Sequence, residues 1–110
     1  MTFLERGLLQ DETATGILVL DSHGTLIEVN AQYMLMTGFE REELIGKNIK
    51  EIDPCSAKHI ASKENMLFGH YNSTLHGKYA KQSPVEISYF YQKTENLSHF
   101  FLFIKESNAE

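Results

Sequence analysis

The sequence predicts one α+β domain: a five-stranded antiparallel sheet with short helices on one face and a further helix at the N-terminus. Three observations predict it. The chain has 110 residues, near the commonest size for a domain built round one hydrophobic core. Its patterning runs helix, two strands, several short helices, three strands, an order that packs helices against an antiparallel sheet. Val85, Ile87, Tyr89 and Tyr91 alternate with Glu86 and Ser88, which is the period of a strand with one buried face.

The elements follow in order. Residues 2–13 read as a short helix with Phe3, Leu4 and Leu8 on one side, a capping or dimerisation segment over 1–14 ahead of the domain proper at 15–107. Ile17-Leu18-Val19-Leu20 is a strand. Asp21-Ser22-His23-Gly24 is a tight turn, because Asp and Ser bond turn backbone and Gly accepts positive φ. The chain returns through Thr25 to Val29, so residues 16–29 form a hairpin. Asn30 caps a helix over 31–36 that ends at Thr37-Gly38. A second short helix covers 40–44 and stops near Gly46, and one more turn covers 48–52. Ser56 is expected to cap a longer helix reaching Phe68 or Gly69, with Ala57, Ile60, Ala61, Leu67 and Phe68 on one face. Strands follow at 71–77, 83–92 and 99–105, the last two joined by a turn at Glu95-Asn96.

The last strand is apolar on both faces, with Phe101 and Phe103 on one and Phe100, Leu102 and Ile104 on the other. A sheet covered on one side only would alternate. The expectation is that Phe100, Leu102 and Ile104 lie outward, where the N-terminal helix or a second copy covers them. Replacing Leu102 by Glu should then dissolve a homodimer and leave the fold intact.

Composition limits what the domain does. Hydrophobic residues make up 42% and charged residues 23%, a globular balance rather than a disordered one. Fifteen acidic residues against ten basic give a net charge of −5, which disfavours nucleic acid and anionic membrane as partners. The longest apolar run, 100–104, is far short of a bilayer span. Residues 1–10 lack the apolar core and cleavage site of a signal peptide. The single cysteine, Cys55, cannot form an internal disulfide or hold a metal alone. These features predict a cytoplasmic domain. No nucleophile–base set, phosphate loop or usefully spaced carboxylate pair appears, so the domain is read as no enzyme.

Thr15-Gly16-Ile17-Leu18-Val19-Leu20-Asp21, His23-Gly24 and Glu28-Val29-Asn30 form one block. Thr37-Gly38-Phe39 with Glu42-Glu43-Leu44-Ile45-Gly46-Lys47 forms a second. Together they resemble the opening of PAS domains, the sensory-box family. The later strands agree with that fold, so the resemblance spans nearly the whole chain. It implies a signal-sensing input module that binds a small ligand, dimerises, or does both, and regulates an attached or partner output domain. Such an output is a kinase, a diguanylate cyclase or a transcription factor, in two-component or cyclic-di-GMP signalling. Gly24, Asn30, Gly38 and Gly46 are read as turn and cap residues that identify the fold, not the ligand.

The resemblance also places the pocket, between the inner sheet face and the helices over Asp53 to Gly69. Its expected lining is Tyr33, Thr37, Cys55, Ile60, Tyr89 and Tyr91. The two C-terminal tyrosines supply hydroxyls that could orient a ligand. Three cofactor readings compete with a module that carries none. Ile49 stands where the light-sensing flavin branch carries its reactive cysteine, which excludes the flavin photoadduct. The segment from Gly46 to Cys55 is similar to the photoactive yellow protein branch, whose chromophore hangs on a Pro-Cys like Pro54-Cys55. Thr37 matches a pocket threonine there, but Val29, Tyr33 and Phe39 replace the groups that hold its phenolate. His59 lies near the axial histidine of haem PAS domains, yet it falls in line with Lys63, about 100° round the helix from Ile60. A solvated surface histidine is the preferred reading. The remaining alternative is a purely structural dimerisation PAS with no ligand.

Overall fold

A computed structural model describes residues 15–62, 68–93 and 98–107. The expected N-terminal helix and the Glu95-Asn96 turn lie outside those residues. The rest is a five-stranded antiparallel sheet with short helices packed on one face. Strands β1 (Thr15–Leu20) and β2 (Leu26–Val29) form the expected hairpin. Asp21 closes its turn, accepting from the backbone N–H of His23 and Thr25 at 2.8 and 2.9 Å. Gly24 supplies the positive φ of +83° that the turn needs.

Asn30 then does two jobs. Its Oδ1 accepts from Tyr33 N at 3.1 Å, capping helix α1 (Ala31–Thr37), and from Ile17 N at 2.9 Å, tying that helix to β1. Gly38, at φ +85°, ends the helix as a left-handed cap. Two one-turn helices follow, α2 (Arg41–Leu44) and α3 (Ile49–Ile52), each with a capping box. Between them the backbone runs beside β2, where Leu26 N donates to Lys47 O and Gly46 N donates to Leu26 O.

Helix α4 (Pro54–Ser62) starts earlier than expected. Asp53, not Ser56, is its cap: Asp53 Oδ1 accepts from Ser56 N at 3.1 Å and Asp53 O accepts from Ala57 N at 3.0 Å. Pro54 takes the first helical position, where its missing N–H is harmless. The helix does not reach Phe68, because Phe68 and Gly69 already belong to strand β3 (Phe68–His76) and pair with Phe90 and Tyr89 of strand β4 (Gln82–Lys93). A turn at Lys78–Ala80 joins β3 to β4. Strand β5 (Ser98–Glu106) then enters between β4 and β1, giving the order β2-β1-β5-β4-β3.

The register sorts the side chains. Tyr89 faces Leu102, Ile87 faces Ile104, and Tyr71 faces Ile87. These residues pack with Leu18, Leu20, Val85 and Phe100 against Tyr33, Met36, Leu44 and Ile49 from the helices. Leu102 is therefore core, at 0% exposure. That reverses the expectation for β5: Phe100, Leu102 and Ile104 point to the helices, and Phe101 and Phe103 point outward with Val19. Directly opposed residues share a face, and β4 carries Glu86 and Ser88 on its outer side. On that side Ser88 faces Phe103 and Phe90 faces Phe101.

Candidate functional site

The inner face carries a set of hydroxyls that its apolar surroundings make conspicuous. Asp53 and Ser56 are buried at the start of α4, and Tyr71 is buried on β3. Ser56 Oγ donates to Asp53 Oδ2 at 2.7 Å, and the Tyr71 hydroxyl donates to Ser56 Oγ. The Ser56 N–H and the Ser56 hydroxyl thus hold the two oxygens of the Asp53 carboxylate at a helix start, where the backbone dipole favours negative charge. Tyr89 reaches the same set, its ring centroid 6.1 Å from that of Tyr71. Tyr33 comes in from α1, 2% exposed.

Burial and the Asp53 charge together raise the hydroxyl pKa of Tyr33 well above its ordinary value. In Tyr71 burial raises it most, the Ser56 hydrogen bond works the other way, and Asp53 adds to the rise. Burial alone raises that of Tyr89. All three phenols are neutral donors at physiological pH. Farther along β3 on the same face, Ser73 Oγ is buried with no hydrogen-bond partner.

The sequence-predicted residues fall into three groups. Tyr33, Thr37 and Tyr89 are buried. The Thr37 hydroxyl donates to Tyr33 O at 2.9 Å, so it serves its own helix. Tyr91 is half-buried at the end of the sheet, its ring 4.6 Å from Phe100. Cys55 is exposed, which corrects its placement in the pocket lining: Asp53 and Ser56 turn inward at this helix start, and the position between Pro54 and Ser56 faces out. A chromophore on its sulfur would start at the surface, and the photoactive-yellow-protein arrangement does not fit. Ile49, 3% exposed, is a core residue. The backbone of His59 and Ile60 runs in α4, and their side chains lie outside the described residues. Among the described residues no group of His, Cys, Asp and Glu could hold a metal ion.

Asp53, Ser56, Tyr71 and Ser73 were missed. Two signals pointed to them. Asp-Pro followed two residues later by Ser is a helix start with proline at the first position and a side-chain acceptor before it. Tyr71, Ser73 and Leu75 alternate as one face of a strand.

The outer sheet face is the second feature. Phe90 stacks on Phe101 at 4.7 Å and on Phe103 at 5.8 Å, with interplanar angles of 12° and 14°. Val19 and Phe101 are buried, whereas Phe68 is 72% and Phe90 37% exposed. Phe68, Phe90 and Phe103 line a shallow depression of about 500 Å³ with Gly69, His70, Ser88 and Tyr89.

Comparison with known proteins assigns the architecture. The profile of the family described as PAS fold matches residues 5–106. A PAS domain of a two-component sensor histidine kinase superposes with a TM-score of 0.77 at 19% identity, covering 96% of both chains. The PAS domain of an HTR-like protein from Haloarcula marismortui gives 0.79 at 19% identity, covering 94% of this chain and 95% of its own. One from Colwellia psychrerythraea gives 0.80 at 19%, covering 98% of each. A comparison with curated proteins finds no match.

Proposed function

The chain belongs to the PAS family, and from that premise we propose that it is a signal-input module whose interior reads a small, non-covalently held molecule. The observation that carries the reading is the convergence of Tyr33, Tyr71, Tyr89, Ser56 and Asp53 in one apolar core. A domain that only dimerised would be served as well by apolar side chains, since buried polar groups are costly unless every one is paired. Ser73 Oγ, buried and unpaired, is a group that a ligand hydroxyl, amide or carbonyl would satisfy. The ligand class is thus a small, uncharged polar molecule that exchanges hydrogen bonds with phenol and serine hydroxyls. The module needs no cofactor for this and catalyses nothing; it passes its state to an output domain, a kinase, diguanylate cyclase or transcription factor, in the cytoplasm. No helix among the described residues is long and apolar enough to cross a membrane.

The second reading, a dimerisation PAS with no ligand, is favoured by the open half of the outer face at Phe68, Phe90 and Phe103. Dimerisation by itself does not exclude a ligand, and under either reading we place the homodimer contact there. Native mass spectrometry of freshly purified protein tests the first. A mass above that of the sequence, which falls to the sequence mass on denaturation, with a colourless absorption spectrum, is the expected result. A sequence mass under both conditions would leave dimerisation alone. A mass gain that survives denaturation and maps to Cys55, or a Soret band, would replace it with a chromophore or haem sensor.

A further inference from the structure

Helix α1 is apolar on its solvent side as well as on its core side. None of its seven residues, AQYMLMT, is charged. Tyr33, Met36 and Thr37 turn inward. Ala31 is exposed, Met34 is half-buried, and Leu35 is 75% exposed. Ala31, Met34, Leu35 and Gly38 recur at helical spacing and form one stripe. With Phe39 and Glu40 they line an open groove of about 430 Å³. An ordinary surface helix carries charged or polar residues on this side, and a contiguous exposed apolar patch marks an interaction site.

The stripe runs on into the β3–β4 turn. A Cβ on Gly38 would stand 3.6 Å from Lys78 Cβ, and Lys78 Nζ lies 5.9 Å from the ring centroids of both Phe39 and Tyr79. Tyr79 is 91% exposed. Its φ of +59° makes it the one non-glycine residue with positive φ among the described residues. A bulky residue there is strained, and the ring gains no burial in return. Strain of that kind is kept where surrounding structure holds it for use.

Charge selects the occupant. The nearby cations are engaged within the chain: Arg41 pairs with Glu28 and Lys78 with Glu43, each at 2.7 Å. Glu40 and Glu42 are exposed and, among the described residues, in no ion pair. Even with Lys81 at the end of the turn, acids outnumber bases round the groove, as they do in the chain at −5. We propose that this groove docks a basic amphipathic helix of a partner protein. Apolar side chains of that helix at i, i+3 or i+4, and i+7 meet the Ala31–Gly38 stripe, Tyr79 packs over its end, and its lysines or arginines flank Glu40 and Glu42. The site is separate from the hydroxyl-lined interior and from the outer sheet face, and stands whether or not the interior binds a ligand.

A labelled helical peptide of about five turns, with leucine at that spacing and lysine elsewhere, is the probe. Its leucine–glutamate counterpart is the control. Anisotropy should show the lysine peptide binding and the glutamate peptide not. Leu35→Glu and Tyr79→Gly should each weaken binding about tenfold or more, as loss of aromatic and aliphatic anchor contacts does. Tyr79→Gly also relieves the backbone, so it should bind less well while melting no lower. Amide shifts on binding should map to α1 and the β3–β4 turn. Equal binding of both peptides, wild-type affinity in Tyr79→Gly, or shifts centred on Phe68 and Phe90 would each overturn the proposal. A homodimer dissolved by Leu35→Glu would give the groove to a second copy and overturn it as well.

Discussion

The Tyr71 hydroxyl donates to Ser56 Oγ, so one hydrogen bond joins strand β3 to the first turn of helix α4. Ser56 passes the connection to Asp53 at 2.7 Å. Ser56→Ala should therefore remove two buried hydrogen bonds at once, the one from the Tyr71 hydroxyl and the one to a carboxylate oxygen of Asp53. The expected loss of stability in urea is about 1–3 kcal/mol. Tyr71→Phe removes the donor itself and should cost about 0.5–1.5 kcal/mol. The double variant should lose less than the sum of the two. Additive losses would show that the three residues do not act as a unit.

The two faces of β5 can be told apart by charge. Leu102→Glu buries a carboxylate at a site with 0% exposure. The penalty of several kcal/mol consumes most of the 5–15 kcal/mol typical of a domain, and the circular dichroism of the variant should be that of an unfolded chain. Phe90→Glu, at a position 37% exposed, should keep the native spectrum and shift sedimentation towards monomer. A folded Leu102→Glu would overturn the assignment of faces.

Alkaline pH offers a third check. Tyr33, Tyr71 and Tyr89 all hold their protons more tightly in the folded chain than in the unfolded one. A raised folded pKa contributes stability that is complete below the unfolded value, near 10 for tyrosine, and is lost as pH climbs towards the folded values. The urea midpoint should thus be flat with respect to these groups at neutral pH and fall above about pH 10. Tyrosinate absorbance should report their ionisation together with unfolding rather than before it. Free titration of Tyr33, Tyr71 and Tyr89 near the ordinary value, in folded protein, would contradict their burial.

Two glycines separate soft from hard crowding. A Cβ on Gly69 would stand 2.5 Å from the Tyr89 ring, and one on Gly77 would stand 2.8 Å from the Thr37 carbonyl oxygen. A ring can swing, but a backbone carbonyl at a helix end cannot. Gly77→Ala should cost about 1–3 kcal/mol as overpacking does. Gly69→Ala should cost less in stability while moving Tyr89, which should alter its ring resonances and any ligand affinity of the interior. Equal melting temperatures for Gly77→Ala and wild type would place the turn farther from α1 than it stands here.

The fold was legible because its punctuation is local. The Asp21 turn, the Asn30 cap and the Gly38 stop each act within a few residues, and in β4 the polar Glu86 and Ser88 alternate with Val85, Ile87 and Tyr89. The faces of β5 were not legible, because a strand that is apolar throughout has no polar partner to orient it. Only the register with β4, which sets Leu102 opposite Tyr89, decides which side is core. The site was legible in half. Tyr33 and Tyr89 sit on elements whose inner faces the sequence reveals. Ser56 was misread as a cap because Ser is a good acceptor. A preceding Asp-Pro outranks it, since proline fits the first helical position and aspartate then caps from one place earlier.

The strand order β2-β1-β5-β4-β3 has a further consequence for how the domain comes into being. Its central strand is β5, so the two hairpins built earlier, β1–β2 and β3–β4, share no border until β5 arrives. A ribosome releasing the chain would hold two half-sheets side by side, each with an open edge and an uncovered apolar face. Such edges invite pairing with neighbours. The pairing of Thr15 with Lys105 joins positions far apart along the chain, a closure that slows folding. Birth, for this domain, is completed from its middle and at the last moment.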